Sequence, residues 1–229
     1  KDDKLFELLR QKFEKEIKDG KLELIHDDIL EFDLSKLTAD SYKLIANIPY
    51  NITGANLKKF LGTGCQPERI VLLVQKEVAE RIIGHHGRLA SMVKESILSI
   101  SVKAYGKPRY VETVKAGSFA PMPSVDSAII AVENISKDFF TRGRLASTVG
   151  TGVSEKEFFG MVRTGFKAKR KKLSSNLSVI FEKGKVLETF KKLNLDNNLR
   201  AEDVETETWQ KLAQNLLIKQ KGDKRQAVV

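Results

Sequence analysis

Residues 42–84, YKLIANIPYNITGANLKKFLGTGCQPERIVLLVQKEVAERIIG, decide the fold class. Tyr42–Ala46 reads as a short strand that Asn47-Ile48-Pro49-Tyr50 stops. Residues 55–61 fit a short helix. Arg69–Val74 (R-I-V-L-L-V) has the length and β-branched content of a buried strand. Lys76–Ile83 continues as a helix ending at Gly84. Strands alternating with helices predict an α/β sheet.

Upstream, Leu5, Leu9, Phe13 and Ile17 recur at four-residue spacing and predict an amphipathic helix over 3–18. Lys21–His26 is a short strand candidate, followed by the acidic turn Asp27-Asp28. Downstream, Arg88–Ser99 reads as helix, and Tyr110–Val114 with Ser127–Val132 as a closing strand pair. The pattern changes from about Ser136. Gly143, Gly150 and Gly152 among Ser and Thr mark a linker or loose loop up to Val153. Only helical patterns follow: Glu155–Lys171, Ser174–Glu182, Lys185–Lys192 and Asp203–Leu217. Ser154 and Glu157 have the spacing of a capping box for the first of these. The expected organisation is an α/β domain over 1–136, a linker over 137–153 and a small all-helical domain over 154–229. The polar tail Lys219–Val229 is expected to fray.

With 229 residues the chain is long enough to bury a substantial core. No apolar run approaches the roughly 18 residues that span a bilayer, and the start, Lys1-Asp2-Asp3-Lys4, lacks the apolar region of a signal peptide. The single Cys65 excludes an internal disulfide framework. A cytoplasmic location is the expectation. Forty Lys and Arg against thirty Asp and Glu give a net charge of +10. Such a balance without membrane signals favours a polyanion, most often nucleic acid. The charge is concentrated: Glu155–Lys192 holds eleven cations and four anions, and Lys167, Lys169, Arg170, Lys171 and Lys172 fill five of six positions. That cluster reads as a phosphate-binding footprint.

Asn47-Ile48-Pro49-Tyr50 is the strongest local signal for chemistry. It follows a strand's carboxyl end, where α/β sheets place ligands. Asn offers a side-chain carbonyl, Pro49 fixes the backbone and removes a competing donor, and an aromatic can stack on a flat ring. Together these suit an amino group on a heteroaromatic base. The amine would donate to the Asn47 oxygen and the Ile48 carbonyl while Tyr50 holds the ring face. Taken alone, the four residues also read as a Pro-containing turn capped by Asn. The histidines His26, His85 and His86 lack a third partner at metal-ligand spacing, so no metal is expected.

The tetrapeptide resembles the D/N-P-P-Y signature of amino-directed methyltransferases in its N-[LI]-P-Y form. Downstream, Phe119-Ala120-Pro121-Met122-Pro123-Ser124-Val125-Asp126-Ser127 resembles the F-x-P-x-P-x-V-D-S segment of the small-subunit rRNA adenine dimethyltransferases. Leu73–Val78 with Arg81, Gly87-Arg88-Leu89, the run from Phe158-Phe159 to Asn176 and Leu199-Arg200-Ala201-Glu202 agree with that family in order, up to about Leu217. The resemblance implies a Rossmann-like S-adenosylmethionine-dependent methyltransferase sheet followed by a small helical domain. It implies that Asp28 accepts from the cofactor's adenine amine, that Ile29 offers a backbone donor, and that Asn47 lies between cofactor and target. Ile48 and Pro49 would shape the site, and Tyr50 and Phe119 would sandwich the extruded base. For Phe119 alone a core aromatic, and for Asp28 alone a turn or cap aspartate, fit as well. The family's glycine-rich cofactor loop and first strands are expected upstream, because no G-x-G precedes residue 27. The chain thus reads as beginning inside the second β–α unit, and cofactor binding by it alone is expected to be weak.

The implied substrate is a pair of adjacent adenosines in the 3′-terminal hairpin of small-subunit rRNA, each taking two methyl groups. The partner would be a pre-ribosomal small subunit and the enzyme a monomer. Three alternatives remain at this point: a non-catalytic RNA-binding assembly factor, an Erm-type large-subunit rRNA methyltransferase, and a DNA adenine methyltransferase. The P-x-V-D-S and L-R-A-E segments favour the small-subunit branch.

Overall fold

The computed structural model describes residues 1–37, 41–84, 94–141 and 152–217. Four strands form one sheet: β1 (Lys43–Asn47), β2 (Arg69–Gln75), β3 (Lys107–Val114) and β4 (Ser127–Glu133), in the order β1-β2-β4-β3. The β1–β2 pair is parallel, whereas β4 runs antiparallel to both β2 and β3. The carboxyl ends of β1, β2 and β3 therefore meet the amino end of β4 along a single edge. Inner strands are the apolar ones. Ile70, Leu72 and Val74 of β2 and Ala128, Ile130 and Val132 of β4 are fully buried. A bulge between Tyr110 and Glu112 leaves Val111 outside the β3–β4 ladder, 43% exposed.

Helices α1 (Asp3–Lys12) and α2 (Glu14–Lys18) precede the sheet. The single helix expected over 3–18 is broken at Phe13, whose backbone leaves the helical region, and none of its apolar residues is buried. The expected strand over 21–26 is not a strand. Extended chain becomes a strand only by pairing, and no described residue pairs with it. The next two helices lie close to expectation: α3 (Thr53–Gly62) and α4 (Lys76–Ile83), the latter ended by Gly84 at φ 89°. Of the helix expected over 88–99, residues 85–93 with His85 and His86 lie outside the described residues. The helix observed, α5 (Ile97–Lys103), starts later because Ser96 caps it, accepting from Ser99 N.

Beyond β4 lie α6 (Asp138–Thr141), α7 (Glu155–Gly165), α8 (Leu173–Leu177), α9 (Lys183–Lys192) and α10 (Thr206–Leu217). Residues 142–151, most of the expected linker, and the tail 218–229 are outside the described residues. Ser154 and Glu157 do form a capping box on α7. That helix ends at Gly165, short of the expected Lys171. Asn176 takes over the helix end, its side-chain amide donating to the carbonyls of Gly165 (2.6 Å) and Ala168 (3.1 Å). The chain then turns, and residues 167–172 form no helix.

One apolar cluster runs from the sheet through these last helices. At its centre Phe139, Phe140, Phe158 and Phe159 pack edge to face at 5.0–5.7 Å. Polar ties reinforce the junction. Lys94 bridges Glu202 and Asp203, Glu95 N donates to the Glu202 carbonyl, and the Tyr105 hydroxyl donates to Glu155. Burial together with that hydrogen bond raises the Tyr105 phenol pKa.

Packing makes a direct prediction about two glycines of α7. A Cβ at Gly165 would lie 2.3 Å from Trp209 Cη2, so Gly165→Ala should destabilise by about 1–3 kcal/mol. Gly160 has open space, so Gly160→Ala should stabilise by roughly 0.5–1 kcal/mol. Urea unfolding midpoints should move in opposite directions; a shared direction would contradict the packing.

Candidate active site

β1 delivers Asn47 to the sheet edge, opposite Leu73 of β2. Ile48 then turns into the core, 7% exposed. Asn47 and Pro49 stay exposed on either side of it. The Asn47 amide makes no hydrogen bond to any described residue, so both its oxygen and its nitrogen are available. Residues 50–52 form a single 3-10 turn, and the Thr53 hydroxyl donates back to the Tyr50 carbonyl at 3.0 Å. Tyr50 is half-buried, and its hydroxyl meets Ser127 Oγ at 2.6 Å. Ser127 is wholly buried, which makes it a rigid post. The ring of Tyr50 is thereby held by its tip.

The segment carrying Phe119 starts where β3 ends. After Val114 the chain makes a 3-10 turn at Ala116–Ser118 and then presents Phe119, half-buried. Asp126 closes this loop. Its carboxylate accepts from Ala116 N (3.0 Å) and from the Lys115 ammonium (3.2 Å), while its backbone carbonyl accepts from Lys76 N at the start of α4 (3.0 Å). The Ala116 hydrogen bond, then the Lys115 ion pair, hold the Asp126 carboxyl below the usual carboxylate range. Consecutive residues at the start of β4 thus fix both segments: Ser127, its first residue, pins Tyr50, and Asp126 just before it fixes the loop carrying Phe119.

Asp28 and Ile29 lie in a different tether. The Asp28 carboxylate receives the Lys1 ammonium and Leu30 N, and its pKa is lowered chiefly by the Lys1 hydrogen bond. Ile29 packs on the core from a partly buried position. Lys59 of α3 donates to the carbonyls of Leu30 and Phe32 and so anchors the segment. An exposed lysine is an exchangeable partner, so Asp28 can accept from another amine.

The five cations Lys167, Lys169, Arg170, Lys171 and Lys172 are all exposed in the turn between α7 and α8. None has a carboxylate within ion-pair distance among the described residues. Among the described residues no group of three His, Cys, Asp or Glu could hold a metal, and no helix is long and apolar enough to cross a membrane. Asn47, Tyr50 and Phe119 are the residues expected from the sequence, whereas Ser127, Asp126 and Lys115 gain a role only from the structure. The V-D-S triplet was the available signal.

The family model described as ribosomal RNA adenine dimethylase matches residues 1–217. A ribosomal RNA small subunit methyltransferase A of Dehalococcoides mccartyi is 36% identical over 92% of this chain and 67% of its own length. The protein of that name from Trichormus variabilis is 35% identical over 85% of this chain and 70% of its own. Two crystal structures share the fold. The 23S rRNA methyltransferase ErmE has a TM-score of 0.67 at 22% identity, covering 95% of this chain and 80% of that one. A dimethyladenosine transferase from Plasmodium falciparum has 0.66 at 23%, covering 87% and 74%. At those identities the likeness is one of fold.

The Asp126 clasp has a pH signature. A depressed folded pKa contributes stability above the ordinary carboxylate range that is lost as pH falls through the folded value. The Asp126 carboxyl resonance should therefore titrate below 3.8, the ordinary Asp value, and the amide of Ala116 should shift with it. A midpoint at or above 3.8 would mean the clasp is open in solution.

Proposed function

Because the chain belongs to the ribosomal RNA adenine dimethylase family, whose methyl donor is S-adenosylmethionine, we propose that it methylates the N6 amines of two adjacent adenosines in the 3′-terminal hairpin of small-subunit rRNA. The pre-ribosomal small subunit would be the partner, the cytoplasm the location and a monomer the working unit. Residues 1–136 serve as the catalytic domain and 154–229 as an RNA-holding domain, joined by 137–153. The observation that carries this reading is the free Asn47 amide on the strand end beside a Tyr50 ring pinned by Ser127.

The residues fit the chemistry in a specific division of labour. The Asn47 oxygen and the Ile48 carbonyl accept the two hydrogens of the target amine, which turns the nitrogen lone pair outward in a fixed direction. Tyr50 and Phe119 face the two sides of the purine, each ring platform stabilising by about 1–3 kcal/mol. Loop adenosines are already partly unstacked, so drawing one out costs less than from a duplex. Bound S-adenosylmethionine supplies an electrophilic methyl carbon, and so the protein needs alignment and exclusion of water more than a strong base. Asp28 fits the adenine amine of that cofactor, with Ile29 N donating to its ring and Asn47 bordering it. The described residues hold no glycine-rich cradle for the cofactor's methionine end.

The Lys167–Lys172 turn would contact rRNA phosphates, a term that weakens steeply with salt. Charge reversal at Lys169, Arg170 and Lys171 should lower rRNA affinity and flatten its dependence on salt concentration by about two to three units of slope; an unchanged slope would place the RNA elsewhere. The central test is Asn47→Ala in the protein as encoded by its gene. Methylation should fall about 100-fold or more, with rRNA affinity held within a few-fold. Equal loss of both would make Asn47 structural. Undetectable cofactor binding by calorimetry in that same protein would instead favour a non-catalytic assembly factor.

A further inference from the structure

A cleft of about 1290 Å³ opens between α3, α5 and α7, lined by none of the residues placed at the methyl-transfer site. Lys156, Phe159, Arg163 and Phe166 recur at three- and four-residue spacing and so share one stripe of α7. Lys169 in the following turn continues it into the cationic cluster. Charge and ring alternate along the stripe. Each ring is backed by protein: Phe159 packs on Phe158 at 5.2 Å, and Phe166 stacks on Trp209 at 5.9 Å with the planes 21° apart. Both remain half-buried rather than enclosed.

The electrostatics of the cleft are one-sided. Its acids are already engaged, Glu95 by Lys103, Glu155 by Lys137 and Glu202 by Lys94. Lys156, Arg163 and Lys169 are exposed and have no carboxylate partner among the described residues, and Lys58 on the α3 wall is in the same state. Free cations interleaved with supported aromatic faces are what a single strand of nucleic acid recognises, because it offers phosphates and unpaired base faces together. A duplex hides its base faces, and an acidic peptide would use the cations but leave the rings idle.

We propose that this cleft binds a single-stranded RNA segment of two or three nucleotides, with phosphates on Lys58, Lys156, Arg163 and Lys169 and bases against Phe159 and Phe166. The seven residue steps from Lys156 to Arg163 rise about 10 Å, close to three stacked nucleotides at about 3.4 Å each. The proposal rests on the RNA reading above but not on methyl transfer.

Fluorescence anisotropy with labelled decauridine, which carries no adenine amine, tests it independently of catalysis. Lys156→Glu with Arg163→Glu should raise the Kd at least tenfold and lower the salt slope by about 1.4, the value for two single-strand phosphates. The matched pair Lys36→Glu with Lys43→Glu, exposed and not among the residues that line the cleft, should change it less than threefold. If the charge-reversed protein does not fold, Lys156→Gln with Arg163→Gln should still weaken binding threefold or more. Equal loss in the cleft and control pairs, no binding of decauridine by the unaltered chain at low salt, or competition by decaglutamate as effective as by unlabelled RNA would each overturn the proposal. Absent methylation with intact cleft-dependent binding would count against the catalytic reading alone.

Discussion

Two consecutive residues, Asp126 and Ser127, hold the candidate site together. They sit at the amino end of β4, the one strand that runs against the others, so they arrive at the edge where β1, β2 and β3 finish. Ser127 fixes the tip of Tyr50 and Asp126 fixes the loop of Phe119. In a wholly parallel sheet this edge would hold only strand carboxyl ends and the turns leading from them. Here the antiparallel strand brings a buried hydroxyl and a carboxylate back into it. Two segments more than sixty residues apart in sequence are thereby set against one short stretch of backbone.

Legibility in the sequence followed burial. Strand β2 and helix α4 were readable because their apolar spacing is forced by neighbours on the sheet, and Gly84 ends α4 where its positive φ is needed. The segments over 3–18 and 21–26 have the right spacing, but they contact little beyond each other: Phe6 stacks on His26 at 4.5 Å, while Leu5 and Leu8 are more than half exposed. The length of α7 was overestimated for another reason. Its end is set by Trp209 against Gly165 and by Asn176 reaching back, contacts from later in the chain that no local window contains.

The same distinction runs through the site. Asn47, Tyr50 and Phe119 could be proposed from the sequence because short motifs carry them. The Asp126–Ser127 clasp is not legible in the sequence because an antiparallel register is a long-range property. Structure separates the cations by what they face. Lys94, Lys103 and Lys137 are engaged in holding sheet and helices together, whereas Lys156, Arg163 and the Lys167–Lys172 turn are left unpaired among the described residues. The acids of this region are thus engaged in internal ties, and a surplus of positive charge stays on the surface.

In the proposed site the ring at position 50, rather than its hydroxyl, holds the target purine. Single-turnover methylation of an rRNA hairpin by Tyr50→Phe and Tyr50→Leu compares the two most directly. Phe keeps the platform and loses only the Ser127 hydrogen bond, so its rate should stay within about tenfold of the unaltered enzyme. Leu removes a platform contributing about 1–3 kcal/mol, so its rate should fall a further 5- to 150-fold, roughly. Equal rates for Phe and Leu would show that no base stacks on that residue.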